Sequence, residues 1–266
     1  MGIGMSLGGR HGAGRVALVV AVLLVLALGG VLLGACAAPS PSPPLRHVDL
    51  THTLTQDMPH LPNTTATHIE RTPDGSPHTL TLAVGNGTTL HLLAAPDPVT
   101  GAVDQGWTVE RLSPRDLTLP AVVLDLRERA QDSPAYPITA ADVQAWERQH
   151  GQLPSDALVL FLTGWDVRWG DPSAYLNLAP EQQLGVPHLH PATLDLLRVR
   201  GVRGIGIDTP QISRELPRAA PKGWLLLTNL TRLEQLPATG TTVWIGVLKL
   251  QGSHASPAVV RAVGPE

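Results

Sequence analysis

Imidazoles and carboxylates are the side chains of this chain that could handle water or a metal ion, and residues 84 to 98, VGNGTTLHLLAAPDP, bring His91 and Asp97 into one short stretch. These groups suit a Lewis-acidic divalent ion, whose bound water ionises near neutral pH and becomes a nucleophile. His188 and His190 stand two apart, so in an extended segment both project to one side. His52 and His60 are further candidates to converge on the same pocket. Asp97 would serve as a general base if buried, since burial raises a carboxyl's pKa. Its Pro-Asp-Pro setting also reads as an exposed turn, and His91 also reads as a strand histidine satisfied by its neighbours.

Other catalytic patterns are weaker. No Gly-x-Ser-x-Gly elbow is present, and Gly201, Gly204 and Gly206 do not form a phosphate-cradling loop that opens a helix. Ser253 and Ser256 flank His254, but adjacency in sequence says little about a catalytic pair. The single cysteine, Cys36, closes an apolar run from Val16 to Leu33 that follows Arg10, His11 and Arg15. That order fits a secretory leader. Leu33-Gly34-Ala35-Cys36 resembles a lipobox, which implies a signal peptide over 1–35, a diacylglycerol on Cys36 and a Pro/Ser-rich tether over 36–46. The expectation is an exported lipoprotein, anchored at the extracytoplasmic face of a membrane.

The remaining 47–266 segment must position the histidines. With 266 residues and 43% hydrophobic composition the chain can close one substantial core. Aromatics are 3%, so that core is aliphatic. Losing the first 35 residues, which hold Arg10 and Arg15 and no acid, takes the formal charge from -3 to -5. No basic stripe with interleaved aromatics appears, which argues against nucleic acid.

The alternation in 48 to 54 and 78 to 84 predicts half-buried strands, with a hairpin turning at Gly85-Asn86-Gly87. The apolar runs 121 to 126 and 157 to 163 predict strands covered on both faces. A helix between them starts at Thr139, with Asp142 three residues on, and ends at Gly151. A second helix begins at Pro191. Short buried strands over 204 to 208 and 224 to 230 follow, and 242 to 250 closes the sheet. Interspersed strands and helices define an α/β domain with a mixed β-sheet.

Several segments, in order and spacing, resemble the cyclase family of kynurenine formamidases and isatin hydrolases: DLTHTL with Met58-Pro59, ITAADVQAWERQHG, LVLFLTGWD, GVRGIGIDTPQIS and LTNLTRLEQLP. The resemblance spans 48 to 263. It implies a swivelling β/β/α fold, a homodimer or higher homo-oligomer, and zinc- or manganese-dependent hydrolysis of an amide such as the N-formyl group of formylkynurenine. The family signature is His-x-Gly-Thr-His-x-Asp-x-Pro-x-His, where two His and the Asp bind metal and the last His moves a proton. Laid without gaps, it puts Gly87, His91 and Leu93 at the metal positions and Asp97 at the last His. Keeping Gly87-Thr88 as the Gly-Thr pair instead puts Gly85, Thr89 and His91 there. Thr228 stands where the family carries a glutamate, and Asp208-Thr209 matches its Asp-Thr pair. Trp165, like His52, Asp208 and Thr228, is a candidate pocket residue, with turn formation and core packing as the other readings of Asp208 and Trp165.

Two expectations follow. One is a hydrolase rebuilt around His91 and Asp97, with a metal held through His91 and His188 or His190 as candidate helpers. The other is a noncatalytic lipoprotein that binds a small molecule or a protein in the same pocket.

Overall fold

A computed structural model describes residues 1–2, 44–62, 64–93, 107–214 and 223–265; the leader, Cys36 and Asp97 lie outside this set. Among the described residues no helix is long and apolar enough to cross a membrane.

Three short parallel strands form the centre of the domain: β5 (Thr118–Asp125), β7 (Leu158–Leu162) and β9 (Gly204–Ile207). Side chains alternate across a strand. Leu158, Leu160 and Leu162 therefore enter one apolar cluster, with Ala121, Val123 and Leu227, while Val159 and Phe161 enter a second, with Val122, Leu124, Ile205 and Ile207. Burial on both faces explains why these strands read as unbroken apolar runs. The second cluster is roofed by α2 (Ala140–His150) and α4 (Pro191–Val199), which follow the short α1 (Arg127–Gln131) and flank α3 (Pro172–Leu176) in chain order. Val143 and Trp146 of α2 and Leu194 and Leu197 of α4 supply the roof, and the Trp146 indole N–H donates to the Val123 carbonyl at 3.0 Å.

The caps are as expected. Asp142 accepts from the Thr139 amide at 2.7 Å and its hydroxyl at 2.8 Å, which ties down the start of α2. The fully buried carboxylate also pairs with Arg129 and accepts from Tyr136. Pro191 occupies the first turn of α4 behind the capping residue His190.

The sheet continues through β10 (Leu225–Thr228) to β4 (Thr89–Leu92) on one side, and through β11 (Thr241–Val247) to β12 (Ala255–Pro265) and β1 (Leu45–Asp49) on the other. It then closes on itself. The first residues of β12 pair with β4, with Ala255 opposite His91, and the rest pairs with β11 and β1. This mixed, ring-closed sheet with helices outside is the expected α/β class.

Two expectations are corrected. The hairpin does not turn at Asn86: β3 (Pro77–Thr81) pairs back onto β2 (His68–Arg71), and Asn86 is buried with its side-chain amide donating to the Thr65 carbonyl at 2.9 Å. The sheet is not closed by 242 to 250 but by β12, a strand that the apolar pattern of the sequence does not predict. The pair β6 (Pro137–Ile138) and β8 (His188–Leu189) forms a separate parallel ladder at the α2 and α4 starts.

A Cβ on Gly204 would sit 2.4 Å from the Leu225 carbonyl oxygen of the adjacent strand. Gly204→Ala should therefore push β9 from β10 and cost about 1–3 kcal/mol, as overpacked sites do, read as a lowered urea midpoint with an unchanged slope.

Candidate functional site

The structure distinguishes the two alignments of the signature. Gly87 has φ +74°, a conformation strained for any side chain, and a Cβ there would lie 2.6 Å from Leu54 Cδ2, so an imidazole at that position would have to displace Leu54 as well. A Cβ on Gly85 would instead lie 3.8 Å from His91 Cε1. Thr89 and His91 stand two apart on β4, so both face the same way, and Thr228 of β10 is registered directly opposite Thr89. Positions 85, 89, 91 and 228 thus meet on one side of the sheet, in the alignment that keeps Gly87-Thr88. In it His91 takes the place of the carboxylate.

Local bonds hold this arrangement. The Thr89 hydroxyl donates to the carbonyls of Asn86 and Gly87, at 3.3 and 3.1 Å. Asn229, at the end of β10 with φ 55°, donates its side-chain amide to the Gly87 carbonyl at 2.6 Å, while its own carbonyl accepts from the Thr88 hydroxyl at 2.7 Å. Tyr175 is fully buried and donates to the Asn229 side-chain oxygen at 2.8 Å.

A cavity of about 370 Å³ opens over this face, between β4, β10, residues 211 to 213 and the start of β12. Leu93, Ile212, Leu226 and Ala255 give it an apolar wall. His91, Gln211, Ser213, Thr228 and His254 line it too, and no Asp, Glu, Lys or Arg does among the described residues. Burial holds the His91 imidazole below its usual pKa, so the ring is neutral at pH 7. The His254 ring is fixed by a 2.9 Å hydrogen bond from Nδ1 to the Trp107 carbonyl. Because a carbonyl only accepts, Nδ1 carries the proton.

A divalent ion of the family's kind does not fit these residues. The three motif positions offer a hydrogen, a hydroxyl and one imidazole, and the fourth offers a second hydroxyl. Among the described residues no group of three or more His, Cys, Asp or Glu could hold a metal.

The other expected residues lie apart from this cavity. His52 does not join His91: it stacks on Trp169, ring centroids 3.9 Å apart, and lines two separate clefts. Burial, opposed by Asp166 and aided by Arg232, lowers its pKa to about 4. His188 is buried with Nδ1 bonded to the Val186 carbonyl at 3.0 Å. His190 faces away, its Nδ1 accepting from the Ala192 amide at 3.2 Å at the start of α4. The two-apart spacing fails here because β8 ends at Leu189 and His190 turns out to cap the helix. His60 is partly exposed and, among the described residues, bonds Leu61.

Trp165 is buried against Tyr175 and Val186, and its indole N–H donates to the Tyr175 carbonyl at 2.8 Å. Asp208 is fully buried, accepting from the Thr163 hydroxyl and the amides of Thr163 and Gly164. Burial, with Asp166 nearby, pushes its carboxyl up to about 7 against the pull of those donors. It fixes the turn after β7. Of the expected pocket residues, the cavity holds His91 and Thr228.

Comparison with known proteins gives this frame its class. Residues 48–214, more than half of the chain, match the model of the Cyclase family, and the chain belongs to that family. The isatin hydrolase of Roseibium aggregatum is 27% identical over 196 residues, covering 70% of this chain and 74% of the relative. Isatin hydrolase A from Labrenzia aggregata, solved with benzyl benzoate, superposes with a TM-score of 0.72 at 26% identity, over 90% of this chain and all of that one. An isatin hydrolase bound to the product analogue thioisatinate has the same fold, with a TM-score of 0.73 at 24% identity over 92% of this chain and 99% of that one.

His52 yields a pH prediction. Its folded pKa is depressed, so its contribution to stability is complete above about 6.5 and is lost as pH falls through about 4. His52→Phe keeps the stack on Trp169 without a titrating group. Relative to wild type, its urea midpoint should fall less between pH 6.5 and 4.

Proposed function

We propose that this protein binds a small, planar, neutral aromatic amide or lactam in the His91–Thr228–His254 cavity, without a resident divalent ion and without hydrolysing it. The observation that carries this reading is the set of uncharged polar groups at the motif positions, one imidazole and two hydroxyls, beside a cavity lined by no Asp, Glu, Lys or Arg among the described residues. Such a surface offers hydrogen bonds to a carbonyl and an N–H, but no charge to a metal or to an ionised ligand. Neutral His91 suits an uncharged partner. The names of the relatives supply the ligand class, since isatin is a flat bicyclic lactam and thioisatinate its ring-opened, anionic product analogue.

A carboxylate in this cavity would be desolvated with no cation beside it, which costs more than any hydrogen bond there returns. Isatin should therefore bind more tightly than thioisatinate by calorimetry, and His91→Ala should weaken isatin about tenfold, the worth of one hydrogen bond in a buried site. Elemental analysis should find no stoichiometric manganese or zinc. Ring opening of isatin should be absent with either ion added, and turnover that disappears in His91→Ala would overturn the proposal.

The same reading has the domain held at a membrane surface through Cys36. Mass spectrometry of the mature amino terminus should find a diacylglycerol-modified cysteine as the first residue.

A further inference from the structure

His254 is a cavity residue whose hydrogen-bonding polarity is dictated by the protein. Its Nδ1 is spent on the Trp107 carbonyl. In the neutral ring the other nitrogen, Nε2, then carries a lone pair and no proton. Nε2 has no partner among the described residues and is not among the polar atoms sealed from solvent. Its position is fixed from two sides: the His254 carbonyl accepts from the Leu92 amide at 2.7 Å, and Ala255, the next residue, is registered opposite His91. The cavity thus presents an obligate acceptor beside groups able to donate, the Thr228 hydroxyl and the His91 ring.

We infer that His254 Nε2 accepts the N–H of the bound lactam and makes the cavity selective for ligands with an unsubstituted ring nitrogen, while Thr228 and His91 face the carbonyl side. The assignment rests on the ligand class proposed above and adds to it the atom that reads the N–H. An N–H and a neighbouring carbonyl on one flat ring present a donor and an acceptor side by side, the complement of this wall. A ligand that replaces its N–H by an atom bearing a lone pair would set two lone pairs against each other in an apolar site. That mismatch costs affinity because neither group can turn to water.

The test uses the full protein and three ligands of one shape: isatin, N-methylisatin, and benzothiophene-2,3-dione, in which sulfur replaces the N–H. Calorimetry should show both analogues weakened about tenfold or more relative to isatin, with the differences lost in His254→Ala. Loss confined to N-methylisatin would mean steric exclusion and overturn the assignment. Equal binding of all three by the wild type would overturn it while leaving the lactam-binding reading in place. No binding of isatin at all would overturn both. A further readout needs neither ligand nor variant: long-range proton–nitrogen spectra of the free protein above pH 8 should place the His254 proton on Nδ1, and a proton on Nε2 would refute the assignment.

Discussion

Closure of the sheet by β12 is the constraint on which the site depends. One strand of eleven residues pairs with β4 at its start and with β11 and β1 along the rest, so that no edge is left between the parallel centre and the antiparallel flank. The edge of β4 is thereby satisfied on both sides, by β10 and by β12. Its alternation is fixed by what it buries: Leu90 and Leu92 enter the core within the ring, which leaves Thr89 and His91 on the other face. A one-residue slip would carry His91 into an aliphatic core and expose two leucines. Site geometry and core packing are therefore the same fact.

Much of this architecture was legible in the sequence. The parallel strands were readable because both faces are buried and the residues are Val, Leu and Ile; α2 was readable from Thr139, Asp142 and Gly151. β12 was not, since its buried positions, Ser256, Ala258, Val260, Ala262 and Gly264, are mostly small and register weakly as apolar. Small residues suit a strand whose neighbours approach on both sides. The hairpin was misplaced because Gly85-Asn86-Gly87 has turn composition, yet a tertiary bond from Asn86 to Thr65 puts that composition to another use.

The site was legible in part for a similar reason. Sequence could place the motif but not choose between two alignments, because that choice rests on Leu54, more than thirty residues away, filling the space where a side chain at position 87 would go. In the sequence His254 is marked only by two neighbouring serines. Only the closure of the ring brings it beside His91, and only the Trp107 carbonyl gives its ring a direction. His52 was grouped with the other histidines by type, whereas its stacking on Trp169 makes it part of a packed aromatic set with Tyr175.

The backbone around positions 85 to 91 is clamped by Asn229 and buttressed by Tyr175 through uncharged groups. A scaffold braced in this way has no need of a cation to fold, unlike modules whose ligands are also their only staples. The frame at positions 85 to 91 is thus held by residues other than those at the motif positions. By the same logic, metal donors placed at those positions would find their backbone already in place.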